Sequence, residues 1–161
     1  MKNTVTIILI SIAAALFLIR DAGAITDSKE FEISESVIQA VESIDIISLN
    51  VLLAEGAKVD TVDDEGNTPL MLASKIGNPR MVKILLAHHP EIDKVNHSGY
   101  TALMIAAEQG QIHIVEKLLI EGANQYKTNL SGLTAADLAI RNGHPDVAEL
   151  LKNENSPVFS R

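Results

Sequence analysis

Five histidines (His88, His89, His97, His113 and His144) and one run of carboxylates (Asp63, Asp64 and Glu65) are the side chains with which this chain could hold a metal or move a proton. A metal site needs ligands that converge in space and are themselves held by further partners. His88 and His89 are adjacent at the end of an apolar run, so their side chains diverge, and His144 stands at an expected helix cap. Acid–base catalysis needs a pocket that perturbs a pKa. Asp63, Asp64 and Glu65 lie just before Gly66, in a turn open to water, and read as a solvated acidic tip. A Ser-His-Asp order, a phosphate loop and a nucleotide-binding motif are all absent from the sequence. The reading is therefore of a chain that is not an enzyme and takes no metal and no cofactor, whose chemistry lies in surface recognition.

The elements that must position such a surface are written in a strict register. Gly66, Gly99 and Gly132 are 33 residues apart, as are Thr68, Thr101 and Thr134. Ala73, Ala106 and Ala139 keep the same step, as do Gly77, Gly110 and Gly143, and Leu85, Leu118 and Leu151. A fixed period of this length marks a stacked-repeat protein. Each threonine suits a helix N-cap, and Pro69 suits the first helical position, where no amide donor is needed. The small alanines fall where neighbouring helices touch. A second helix is expected after Asp45, Asn78, Gln111 and His144, with Pro79 and Pro145 in its first turn. Val82, Leu85 and Leu86, and then Val115, Leu118 and Leu119, give apolar faces at i, i+3, i+4 spacing. Glycines at 77, 110 and 143 suit the left-handed turn that ends the first helix.

The blocks Gly-x-Thr-Pro-Leu at 66–70, Gly-x-Thr-Ala-Leu at 99–103 and Gly-x-Thr-Ala-Ala at 132–136 resemble the ankyrin repeat. The resemblance spans residues 34–153. It implies an all-α solenoid of about four stacked helix–turn–helix repeats with short finger turns, the repeats running over 28–60, 61–93, 94–126 and 127–153. Val37, Ala40, Leu52 and Leu53 place the first as an N-terminal capping copy, with Ile33 where the finger glycine belongs. Asp137 and Lys152 stand where earlier copies carry apolar residues, as a C-terminal cap requires. Two departures matter. The histidine usual after the Thr-Pro-Leu block is Met71, Met104 or Asp137, so its hydrogen bond to the threonine is expected to be missing. His89-Pro90 replaces the Gly-Ala that ends the second helix of the repeat, and a non-glycine residue in a left-handed conformation costs about 1 kcal/mol.

Residues 1–24 differ in kind. Lys2 is a basic start, Val5 to Ile19 is apolar, Arg20-Asp21 breaks the run, and Ala22-Gly23-Ala24 forms a small-x-small site. This pattern predicts a cleavable secretory signal peptide, an uncleaved anchor being the alternative. Residues 25–33 then read as a linker and 154–161 as a flexible tail. The chain has no cysteine, which excludes a lipoprotein anchor and disulfides. An exported, disulfide-free repeat protein points to the periplasm of a bacterium, with release beyond the cell as the alternative. Loss of Lys2, Arg20 and Asp21 leaves 11 basic and 20 acidic residues, a net charge of −9. That charge disfavours nucleic acid, anionic glycan and anionic lipid, and favours a basic or mixed-charge protein.

In ankyrin-like stacks the recognition surface is the concave face, built from finger tips and first helices. Carried over by register, the resemblance implies Val62, Asp64, Glu65, Asn67, Lys75 and Ile76 around one finger. Val95, His97, Ser98, Tyr100, Glu108 and Gln109 follow on the next, and Leu130, Leu133, Arg141 and Asn142 on the last. Tyr100, one of five aromatic residues, has the composition of a hot-spot anchor beside an acidic edge. Val62 and Val95 are equally suited to packing between fingers. The expected function is that of an exported protein-binding module, monomeric when free, similar to the small exported ankyrin proteins of bacteria. Its sharpest form is an immunity-type inhibitor that plugs the positive groove of a wall-degrading enzyme. The rivals are a periplasmic scaffold or stress-protection factor, and a secreted effector that binds a host protein.

Overall fold

The structure is a computed structural model and describes residues 37–152. The expected leader, linker and tail lie outside the described residues. Eight helices are described: α1 (residues 37–42), α2 (Ile46–Ala54), α3 (Pro69–Ile76), α4 (Pro79–Ala87), α5 (Ala102–Glu108), α6 (Ile112–Ile120), α7 (Ala135–Arg141) and α8 (Pro145–Lys152). No strand is present among the described residues. The pairs α3/α4, α5/α6 and α7/α8 form helical hairpins. The first helices α3, α5 and α7 stack side by side, and the second helices α2, α4, α6 and α8 form a parallel row.

The helix starts are fixed by side-chain caps. Oγ1 of Thr68, Thr101 and Thr134 accepts the N–H of Met71 at 3.2 Å, Met104 at 3.2 Å and Asp137 at 3.3 Å. Asp45 accepts from the N–H groups of Ile47 and Ser48, and Asn78 from those of Arg80 and Met81, while Gln111 caps α6 without a side-chain bond. The hydroxyl of Ser48 also donates to Asp45 at 2.6 Å. That bond, followed by the Ser48 amide, holds the Asp45 carboxyl below its ordinary range. Each such contact satisfies a donor that the first helical turn leaves without an intrahelical partner.

The helix ends repeat one pattern. The N–H groups of Asp45, Asn78, Gln111 and His144 donate to the carbonyls of Ala40, Ala73, Ala106 and Ala139, closing each first helix through a left-handed residue. That residue is Gly77, Gly110 or Gly143 in three copies, but Ile44 at φ 58° in the first. His89, at φ 53°, occupies the second left-handed position, where Gly56 and Gly122 stand in other copies. The His89 expectation therefore holds, and Ile44 is a second strained site in the same fold. A β-branched residue in this region is an outlier, because Cβ crowds the following carbonyl.

Burial follows the register. Ala73, Ala106 and Ala139, one on each of the stacked first helices, are all fully buried. Leu49, Leu85 and Leu118 carry the apolar side of the second helices into one continuous core with Met71, Met81 and Met104. Asp137 and Lys152 are exposed.

The threonine expected to lack the histidine's bond has a substitute partner in the last repeat. Asp137 takes the place of the usual histidine: its Oδ2 accepts from Thr134 Oγ1 at 2.6 Å and from the Thr134 N–H at 3.0 Å. Met71 does so weakly, its sulfur 3.4 Å from the Thr68 N–H.

Candidate protein-binding groove

The fingers at 60–67, 93–100 and 126–133 project from the helical stack, and each is closed by one acidic or amide side chain in the 33-residue register. Asp63 Oδ1 accepts the N–H of Glu65 at 2.9 Å and of Asn67 at 2.7 Å. Asn96 Oδ1 accepts from Ser98 and Tyr100, and Asn129 Oδ1 from Ser131 and Leu133. A short carbonyl side chain that bonds its own backbone two and four residues on replaces a turn's missing partners. Asp63 is thus part of the finger's frame. Only Asp64 and Glu65 remain of the expected solvated acidic tip.

The fingers are tied to one another. The His97 N–H donates to the Glu65 carbonyl at 3.0 Å and the Leu130 N–H to the Ser98 carbonyl at 3.2 Å. This close approach requires glycine on the facing finger: a Cβ at Gly66 would lie 2.8 Å from the His97 ring, and one at Gly99 2.8 Å from the Leu130 nitrogen. At the stems, both carboxylate oxygens of Asp60 receive the Glu91 N–H, and Lys94 Nζ donates to the Asp60 carbonyl at 3.0 Å. Asp93, Asn124 and Lys127 repeat the arrangement one finger on.

Between the first two described fingers and helices α3 and α5 lies a groove of about 180 Å³. Seven residues implied by the resemblance line it: Glu65, Asn67, Lys75, Ser98, Tyr100, Glu108 and Gln109. Four others were not foreseen: Met71, Leu72, Asn96 and Ile105. Leu72 and Ile105 are themselves 33 residues apart, a signal the sequence carried. Asn67 is buried, and its amide serves the scaffold. Nδ2 donates to Asp63 at 2.9 Å and Glu65 at 3.1 Å, while Oδ1 accepts from Asn96 at 2.7 Å.

The remaining candidates lie outside the groove. Val62 and Val95 are each 48% exposed and Leu130 is 80% exposed. Ile76, Asp64, His97, Arg141 and Asn142 are exposed, and Leu133 is half-buried. The Asn142 amide donates to the Leu138 carbonyl at the end of α7.

Among the described residues, no three His, Asp or Glu side chains stand where they could hold a metal ion together. His113 pairs with Glu116 on an exposed turn of α6, and His144 packs its ring over Gly110. What the groove offers is recognition: carboxylates, an aromatic ring and amides above an apolar floor. No curated protein matches the chain. The family model for ankyrin repeats, three copies long, matches residues 37–129 and again 89–159. Repeat spacing, capped hairpins, tied fingers and this match together place the chain in the ankyrin-repeat family, whose members are protein–protein interaction modules.

Proposed function

We propose that the chain is an exported ankyrin module that binds and blocks a cell-wall-degrading enzyme, such as a peptidoglycan hydrolase or endopeptidase, and so protects the cell that makes it. The observation that carries this reading is the groove lined by Glu65, Glu108 and Tyr100, in which two carboxylates outnumber the one ammonium of Lys75. Enzymes that act on the anionic wall often carry positive grooves, and an acidic concave surface complements one in charge and shape. The leader pattern in residues 1–24 supports delivery to the periplasm, where such enzymes work.

The test is capture from a periplasmic extract with the protein as bait, followed by titration of the captured enzyme's activity. Activity should fall to zero at the binding stoichiometry. Tyr100→Ala should speed dissociation, with a loss of at least ~2 kcal/mol if the ring is a central anchor. Asp64→Lys should instead slow association and flatten its salt dependence, because an exposed tip charge steers the encounter. Tight capture with full enzymatic activity would leave a scaffold in place of an inhibitor.

A further inference from the structure

We infer that the groove between the first two described fingers is built to receive an arginine side chain of the partner, an assignment that rests on the protein-binding reading above. Two carboxylates and one ammonium line it: Glu65 from a finger, Glu108 from the last turn of α5 and Lys75 from the last turn of α3. The ion pairs between the described residues, His113–Glu116 and Lys117–Glu121, lie elsewhere on α6 and its end. Glu108 is half-buried and takes part in neither of those pairs, so its carboxylate is open to a cation that enters the groove. Glu65 has one oxygen, Oε2, that receives the Asn67 amide at 3.1 Å. This bond orients the exposed carboxylate at the mouth of the groove.

The neutral part of the groove distinguishes arginine from other cations. Tyr100 is half-buried, and its ring stands at the same groove as the two carboxylates. A guanidinium is planar and weakly hydrated. It stacks on an aromatic face while its N–H fork meets a carboxylate, which a compact ammonium cannot do at once. Leu72 and Ile105 are nearly fully buried and floor the groove with aliphatic surface. That floor suits the three-methylene stem of an arginine whose charged head stays at the rim. A volume of about 180 Å³ accommodates one long side chain and not a helix. The Asn96–Asn67 bond and the finger turns hold the walls in place before any partner arrives, so little ordering is needed on binding.

The test uses the 15N-labelled protein and three blocked tripeptides: acetyl-Leu-Arg-Leu-amide, its lysine counterpart and its citrulline counterpart. Citrulline keeps the shape of arginine and removes its charge. Amide shifts should concentrate at Ser98, Tyr100 and Glu108. The citrulline peptide should bind about tenfold more weakly, the effect of losing one charge-assisted hydrogen bond. Glu108→Gln should weaken the arginine peptide by a similar factor and leave the citrulline peptide unchanged, with the amide spectrum otherwise preserved.

Equal binding of arginine and citrulline, equal binding of arginine and lysine, shifts centred outside the groove, or no shift with any peptide would each overturn the assignment. If capture of the periplasmic partner still depends on Tyr100 in that event, the protein-binding reading stands and only the arginine assignment falls.

Discussion

Asn96 donates its side-chain N–H to the side-chain oxygen of Asn67 at 2.7 Å, across 29 residues of sequence and from one finger to the next. The other oxygen of this relay, Asn96 Oδ1, holds the amides of Ser98 and Tyr100. One side chain therefore shapes the second described finger, ties it to the first, and sets the backbone of the aromatic residue that faces the groove.

Asn96→Ala should destabilise the protein by about 1–3 kcal/mol, because it strands partly buried donors and an acceptor at once. Urea denaturation followed by circular dichroism reads this directly. Asn96→Asp should retain the finger turn, since a carboxylate still accepts both amides, but should still lower stability, because it replaces the donation to Asn67 with a carboxylate oxygen facing the Asn67 oxygen. A midpoint unchanged in Asn96→Ala would mean that the fingers are held by backbone bonds alone.

Ile44 and His89 hold left-handed backbone where other copies use glycine. Ile44→Gly and His89→Gly should each raise stability by about 1 kcal/mol, the strain released exceeding the added freedom of the unfolded chain. Ile44 is 51% exposed, so little packing is lost with its side chain. The two sites lie in different repeats, and their effects should add. A fall in the denaturation midpoint for both variants would show that these side chains contribute more than their backbone costs.

Ala106 has no exposed surface, lying on α5 between α3 and α7. Ala106→Glu forces a longer, charged side chain into that contact; overpacking alone costs about 1–3 kcal/mol, and burial of the charge adds to it. With so few neighbouring repeats to absorb the loss, the cooperative melting transition should disappear or shift far down. Ala106→Ser, which adds one small polar atom, should melt close to the wild type. An Ala106→Glu variant with wild-type melting would place the alanine column outside the stack.

The Asp137 carboxyl is held below its ordinary range, first by the Thr134 hydroxyl, then by the Thr134 amide, with a smaller contribution from the charge of Lys152. A carboxyl with a lowered folded pKa stabilises the fold above its unfolded pKa, and the contribution is lost as pH falls through the folded value. Acidification below the ordinary aspartate range should therefore loosen α7 at its start. Carboxyl carbon shifts followed by NMR should place the Asp137 midpoint below that of an unstructured aspartate. Asp137→Asn should remove the acid-side dependence at this helix. A midpoint at or above the ordinary value would contradict the capping geometry.

The stack was legible in the sequence because its marks are redundant. Thr68, Gly77 and Ala73 each do a job that few other residues do, and each recurs at the same step. The groove was only half legible. Register placed Tyr100, Glu108 and Lys75 on the exposed side, but gave Asn67 the same standing, although its amide is consumed within the scaffold. Whether a polar side chain serves a partner or its own backbone depends on turn geometry that spacing does not carry. Asp63 belongs to the finger's frame for the same reason: its neighbours in register are Asn96 and Asn129, and the shared property is a carbonyl oxygen, not a charge. Leu72 and Ile105 were hidden by being apolar, since a groove floor and a core wall have the same composition. Asp137 shows the reverse case, a departure from the family pattern in which a different side chain restores the lost bond.

The stem contacts give the molecule a mechanical character. Asp60 grips Glu91 and Lys94, and Asp93 grips Asn124 and Lys127, so the two clasps sit one after the other along the stack. Tension applied between the ends loads such clasps in series, and the weaker gives way first while the rest stays folded. Stretched in an optical trap, the protein should lengthen in discrete jumps of one repeat, each releasing about 100 Å of chain. A bound protein that pulled on it would meet a stack that yields unit by unit, not a rod that snaps.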